Sequence, residues 1–301
     1  MILVTGANGK VASEVVRALS ESGTPVRAMV RSLATAKAIE GSGIEIVQGD
    51  LAQVETLPKI LEGVDAVFLA TGLAPDMAEL HRNLIEAATR SDVRRIVRLS
   101  VLPAATDAPI RGPRLHGEAD QALIESGIPY TLVKPAHFMQ NLLAFAGPIG
   151  SQGIIPAPLG HAAIGTIDVR DVAAVAVAAL TEDGHEGESY VVTGPEALTM
   201  DAMAEQLSSV LGREVKYVDV APDAAREALL TSGAPAWFVE ALLEINANMA
   251  GGSADIVTTT VRDVTGREPR SLETFGTDYA SAFRPAEPVA ATTSRSAGTG
   301  R

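Results

Sequence analysis

The chain has 301 residues, enough for one large α/β domain with a smaller lobe attached and for a substantial buried core. Hydrophobic residues make up 47% and charged residues 20%, which excludes a wholly disordered chain, and a formal charge of −13 without a clustered run of Lys and Arg argues against a nucleic-acid partner. The lack of cysteine removes disulfides, thiolate catalysis and thiolate metal sites, and the sequence points to no other metal site.

Short apolar runs alternate with longer segments of helical period, the mark of a parallel sheet covered by helices on both faces. Met1 runs straight into an apolar strand, without a basic segment, signal core or cleavage site, and no apolar run is long enough for a bilayer. A cytoplasmic protein with no membrane attachment is the expectation. Strands are predicted at residues 2–4, 26–30, 44–47, 66–70, 95–100 and 130–133, with helices in most of the gaps. The first helix carries Val11, Val15, Val16 and Leu19 on one face and stops at Gly23. Beyond Pro135 the rhythm loosens into a loop rich in Gly and Pro over 147–160, a short strand at 164–167, a helix at 168–180 and a strand at 189–192 that rejoins the sheet. After Gly194 and Pro195, a helix at 199–211, a strand at 215–218 and two helices reaching about Met249 suggest a smaller lobe. The expected organisation is a doubly wound Rossmann α/β sheet over 1–150, with 163–194 returning to it, and a smaller α/β substrate lobe over 195–283. From Arg284 a run of small polar residues, 284–301, reads as a disordered tail.

The segment VTGANGKVA places Gly6, Gly9 and Ala12 at the first strand-to-helix turn, where a pyrophosphate would meet a helix N-terminus. Gly6 permits the tight turn, Gly9 lets the backbone approach the phosphates, and Ala12 is small enough for close packing of helix on strand. Thr5, Asn8, Lys10 and Val11 complete this loop. At the end of the second strand, where an NAD site normally carries Asp or Glu for the ribose hydroxyl, stands Arg31. A guanidinium cannot accept that proton but can bind a 2′-phosphate through two hydrogen bonds, and Lys37 adds a second positive charge. NADP(H) is therefore the expected cofactor; the competing reading makes Arg31 a solvated strand-end residue. Asp50, followed by Leu51 in QGDL, either reaches the adenine edge or caps the next helix. Ala70, Thr71 and Gly72 end the fourth strand, Ser100 and Val101 the fifth, and Pro135, His137, Phe138 and Asn141 follow the sixth, all where ligands bind in open α/β sheets. His137 and Phe138 are placed against the nicotinamide, although Phe138 and Met139 read equally well as core; Ser100 either holds a substrate oxygen or caps its strand. Asp168 and Asp171 read as the start of their helix, and Trp237 and Phe238 either wall the cleft or pack between helices.

Short-chain dehydrogenases usually place Tyr and Lys four apart on a helix, where a rise of roughly 6 Å keeps them on one face. The one literal match, Tyr130 to Lys134, lies in PYTLVKP, which reads as a strand spanning about 13 Å over four residues. The segments VTGANGKVA, QGDL, RLHGEADQALIESGIPYTLVKPAHFMQN and IDVRDVA together resemble the NmrA-like group of atypical short-chain dehydrogenase/reductases, and the likeness runs to about Phe283 through TGPEALTMDAMAEQLSSVLGREVKYV. The resemblance implies an NADP(H)-binding Rossmann domain, a small C-terminal lobe and a substrate cleft between them. The group is similar to quinone, dye and ether reductases and also to proteins that bind NADP(H) only to sense or regulate. Where its ether reductases carry a catalytic Lys, this sequence has His116, whose imidazole titrates near neutral pH and can donate a proton to a reduced oxygen or nitrogen. Asp120, one turn on, is placed to orient or charge it; the alternative is a surface histidine. The leading expectation is an NADPH-dependent reductase of a small apolar, conjugated acceptor such as a quinone, enone, ketone or imine. A non-catalytic NADP(H) sensor and a nucleotide-dependent epimerase are the alternatives.

Overall fold

The computed structural model describes residues 1–39, 41 and 43–284; the tail expected after Arg284 and the Lys37 side chain lie outside the described residues. The first half alternates as the apolar runs require. It reads β1 (Ile2–Val4), α1 (Lys10–Glu21), β2 (Val26–Val30), β3 (Ile44–Gln48), α2 (Leu57–Ile60), β4 (Ala66–Leu69), α3 (Met77–Ala88), β5 (Arg95–Leu99), α4 (Arg111–Glu125) and β6 (Tyr130–Pro135). Next come β7 (His137–Phe138), α5 (Ala146–Gln152), β8 (Ile154–Ala157), β9 (Ile164–Ile167), α6 (Val169–Thr181), β10 (Ser189–Val192) and β11 (Ala197–Leu198). The last are α7 (Met200–Leu211), β12 (Lys216–Asp219), α8 (Pro222–Thr231), α9 (Ala236–Ala250), α10 (Thr260–Thr265) and α11 (Leu272–Asp278).

Seven strands form one parallel sheet in the order β10-β6-β5-β4-β1-β2-β3. Alternating side chains supply two cores. Ile2 and Val4 of β1 face a layer built on Val15 and Leu19 of α1 and Val172 and Ala176 of α6, whereas Leu3 faces Leu57, Leu84 and Leu123 of α2, α3 and α4. Each fully buried Val or Leu contributes about 1.5–3 kcal/mol, so the double coverage explains why these strands read as unbroken apolar runs. The strand order reverses between β1 and β4, which opens a crevice at their C-terminal ends.

A third core lies outside the sheet and joins Met139, Leu142 and Ile149 to Met203, Leu207 and Phe275. Residues 139–159 thus pack with the C-terminal elements, whereas the sequence reading placed them up to 150 with the sheet. Part of the loop expected over 147–160 is strand: β8 pairs in parallel with β12, and Pro156 is tolerated because this is a two-stranded edge. Between these segments the chain returns to the large sheet through α6 and β10, and it touches the first core once more at Val261 of α10 before ending in the second lobe with α11. Among the described residues no helix is long and apolar enough to cross a membrane.

Candidate active site

The turn after β1 is shaped by close approach rather than by sequence preference alone. Gly6 has φ +56°, and a Cβ there would stand 2.8 Å from the carbonyl oxygen of Ala70 at the end of β4. The Thr5 hydroxyl donates to the Ala70 carbonyl at 2.8 Å and accepts from the Ala70 amide at 2.9 Å, tying the two strand ends together. Gly9 precedes α1 without a side-chain cap, and the first turn of α1 holds no acidic residue. Its unpaired amides and helix dipole leave a site that fits a pyrophosphate. Asn8 is exposed and donates to the Thr35 hydroxyl at 3.1 Å, while Val11 is buried in the core beneath the turn. Arg31 is exposed at the end of β2, and its guanidinium has no partner among the described residues. Asp50 accepts from the Ala52 amide at 3.0 Å, Leu51 is buried, and Gly72 is exposed. These residues fit an NADP(H) dinucleotide laid across the crevice.

Toward the other end of the crevice, Lys10 donates from Nζ to Asn141 Oδ1 at 2.8 Å, and Asn141 Nδ2 lies 3.4 Å from His137 Nε2. Partial burial lowers the Lys10 pKa. Desolvation, with the Lys10 charge adding to it, pushes His137 down to about 4, so it is neutral at physiological pH. Pro135 is buried, and Pro135, Ala136 and His137 form one wall of a cavity of about 230 Å³. Leu73, Val101, Ile110, Pro113 and His116 line it from the sheet domain, and Ile245, Met249 and Ile256 from the second lobe. Phe138 turns away from this lining and packs against the core beside α6. The lining contains no Lys or Arg.

Beneath the cavity lies a polar network inside the helix-covered face of the sheet. Arg98 on β5 is fully buried; its Nε donates to His81 Nδ1 at 2.9 Å, its Nη1 pairs with Asp120 Oδ1, and its Nη2 is 3.3 Å from His116 Nδ1. Ser100 donates to Asp120 Oδ2 at 2.8 Å, Lys134 Nζ is 3.5 Å from the same oxygen, and His81 Nε2 is 2.9 Å from the Thr71 hydroxyl.

Residues 6–183 match the family described as NAD(P)H-binding. The chain is 41% identical over 283 residues to the NAD(P)H azoreductase of Xenophilus azovorans, a match covering 94% of this chain and 99% of that one. It is also 41% identical, over 291 residues, to the (4-alkanoyl-5-oxo-2,5-dihydrofuran-3-yl)methyl phosphate reductase of Streptomyces griseus, covering 95% of this chain and all of that protein. The chain belongs to the NmrA-like family of NAD(P)H-binding proteins. Its fold superposes on the NADPH complex of the quinone oxidoreductase QOR2 from Escherichia coli with a TM-score of 0.83 at 28% identity, covering 93% of this chain and 100% of that one.

In this NmrA-like chain three expectations for the catalytic residues need correction. His116 does not titrate near neutrality: burial first, and then the Arg98 charge, hold its pKa well below the ordinary value. Nor does Asp120 charge it, because both Asp120 oxygens are taken by Arg98, Ser100 and Lys134. Ser100, 1% exposed, is committed to that carboxylate and is not free to hold a substrate oxygen. Asp168 accepts from the Arg170 amide as a helix cap, and Asp171 pairs with Arg270. Trp237 packs under Arg111 and lies outside the cavity lining. Sequence reasoning missed His81, Arg98 and Lys134 as members of one network. The signal was present: a charged residue inside the apolar run RIVRLS, and a histidine at a helical interval from Met77, Leu84 and Ile85 on the buried face of α3.

Proposed function

We propose that the chain is an NADPH-dependent oxidoreductase of the atypical short-chain dehydrogenase/reductase type, acting on a small, uncharged, conjugated acceptor such as a quinone, enone, azo compound or imine. The observation that carries this reading is the apolar cavity beside Pro135 and His137, which opens where the C-terminal ends of β5 and β6 meet the second lobe. A cavity of about 150 Å³ accepts benzene, so a cavity of about 230 Å³ has room for a small aromatic molecule. Without a cation in the lining, a phosphate or sulfonate inside the cavity would lose its hydration without a counter-charge.

Bound in the crevice, NADPH supplies the hydride. The chain's own residues hold and orient the reactants. The glycine turn and the N-terminus of α1 would hold the pyrophosphate, and Arg31 would hold the 2′-phosphate that distinguishes NADPH from NADH. The Lys10–Asn141–His137 relay fixes the wall that would hold the nicotinamide. Ile245, Met249 and Ile256 close the cavity from the second lobe and exclude water, and His116 presents a polar group to the acceptor heteroatom.

Loss of NADPH absorbance across a panel of neutral quinones, azo dyes, enones and imines, each paired with a sulfonated or phosphorylated analogue, tests the reading. Turnover is expected with neutral members and little or none with charged ones. Tight NADPH binding without turnover of any acceptor would make the protein a binder rather than a reductase.

A further inference from the structure

An arginine buried among helices is expensive to desolvate unless its donors are all used. Burial lowers the Arg98 pKa to about 10 against the opposing pull of Asp120, which still leaves it a cation at neutral pH. A guanidinium only donates, so the Nδ1 atoms of His81 and His116 that face it are lone pairs, and each ring carries its proton on Nε2. In His81 that proton goes to the Thr71 hydroxyl. In His116, Nε2 has no partner among the described residues and is not among the buried orphaned atoms, so it is open to the cavity that His116 lines.

We propose that Arg98 is a positioning residue that locks His116 as the neutral Nε2–H tautomer, so that the acceptor meets a fixed hydrogen-bond donor and not a titrating acid. The inference rests on the reading of the cavity as the acceptor site. The groups facing His116 support it. Arg98 comes from β5, Lys134 from β6, Asp120 from the same helix, His81 from α3 and His137 from the opposite wall, while Glu244 of α9 is held by Arg111. Two cations share one carboxylate, and a further proton on His116 would have no anion to meet. Hydride delivered to the acceptor leaves negative charge on its oxygen or nitrogen. His116 hydrogen-bonds that atom while keeping its own proton, and the reduced acceptor takes its neutralising proton from bulk water as it leaves the cavity.

The tautomer is read directly by ¹⁵N NMR of histidine-labelled full-length protein, which has five histidines, with the His116 signals identified by their loss in His116→Gln. The expected result is an Nε2–H ring whose shifts stay constant from about pH 5.5 to pH 8. An ordinary titration in that range, or an Nδ1–H ring, overturns the proposal whether or not the protein turns over any acceptor. With a neutral quinone, kcat/KM is expected to be level over the same range. His116→Ala is expected to lower kcat about 10²-fold, and His116→Gln, which keeps a neutral N–H donor, to recover most of that loss. A charged-acid mechanism predicts instead a rate that falls with rising pH and equal loss in both variants; unchanged turnover in His116→Ala removes the donor role. Arg98→Met, provided its circular dichroism matches that of the parent, is expected to give a mixed and titrating His116. An unaltered tautomer in that variant assigns the lock elsewhere. If the parent reduces no acceptor, the reductase reading fails, and the NMR result alone decides the role of Arg98.

Discussion

Replacing Arg31 with Glu should exchange the cofactor preference without disturbing the fold. The guanidinium is exposed and has no partner among the described residues, so its removal breaks no hydrogen bond or ion pair among them, and stability should stay within about 0.5 kcal/mol of the parent. A charge-assisted hydrogen bond is worth about 1.5–3 kcal/mol when sheltered. At an exposed strand end, screening reduces the contribution to about 1–2 kcal/mol in total. The new carboxylate adds repulsion of the 2′-phosphate by about 1 kcal/mol at 4 Å in water. The sum, about 2–3 kcal/mol, weakens NADPH binding about 30- to 150-fold. NADH binding should hold or improve, because the carboxylate can accept from the ribose hydroxyl. Calorimetric titration with both nucleotides, at low and moderate salt, measures the ratio, and the gap should narrow as salt rises. A folded variant whose NADPH/NADH ratio shifts by less than about threefold would refute the assignment of Arg31 to the 2′-phosphate.

Gly117, the neighbour of His116, has no room for a methyl group: a Cβ would stand 2.2 Å from the carbonyl carbon of Ala105. Gly117→Ala should therefore destabilise the protein by about 1–3 kcal/mol in urea unfolding and lower turnover more than NADPH affinity, since it pushes α4 and His116 from their place. Thr166 presents the opposite case. Its Oγ1 is buried without a hydrogen-bond partner among the described residues, so Thr166→Val should leave the melting temperature unchanged or raise it, and a fall of several degrees would reveal a partner for it. Stability should also weaken in mild acid. His137 has a folded pKa of about 4, and His81 and His116 are also held well below their ordinary values, so between about pH 4 and 6.5 the unfolded chain binds more protons than the folded one. Stability then increases as pH rises through this window and levels off above about 6.5, each histidine contributing up to about 1.4 kcal/mol per pH unit. Urea unfolding at several pH values checks the slope, and a flat profile would contradict the burial of these rings.

The sheet was legible because its signal is local. Strands buried on both faces must be apolar throughout, and the glycine turn must follow the first of them, so Ile2–Val4, Gly6 and Arg31 could be placed from spacing alone. The second lobe was only partly legible, since its core joins segments more than a hundred residues apart, such as Leu142 with Phe275, and one of them passes through Pro156, which reads as loop. His116 was singled out by its position, but its chemistry was misjudged, because an ordinary imidazole pKa presumes an ordinary environment. What changes it is burial first and then the charge of Arg98, 18 residues distant along the chain and brought to it only by tertiary packing.

The path of the chain between its lobes also sets the terms on which this pocket could be re-engineered. Grafting the C-terminal part of a relative would carry Ile245 and Met249 but leave their packing partners, Met139 through Leu159, behind in the host. A chimera intended to change acceptor preference therefore has to transplant 139–163 together with the parts of 197–283 that build the second lobe's core, while keeping α6, β10 and α10, whose Val261 packs in the first core, from the host so that the nucleotide sheet stays whole. Single-crossover hybrids should fail by mismatched cores long before they report on specificity.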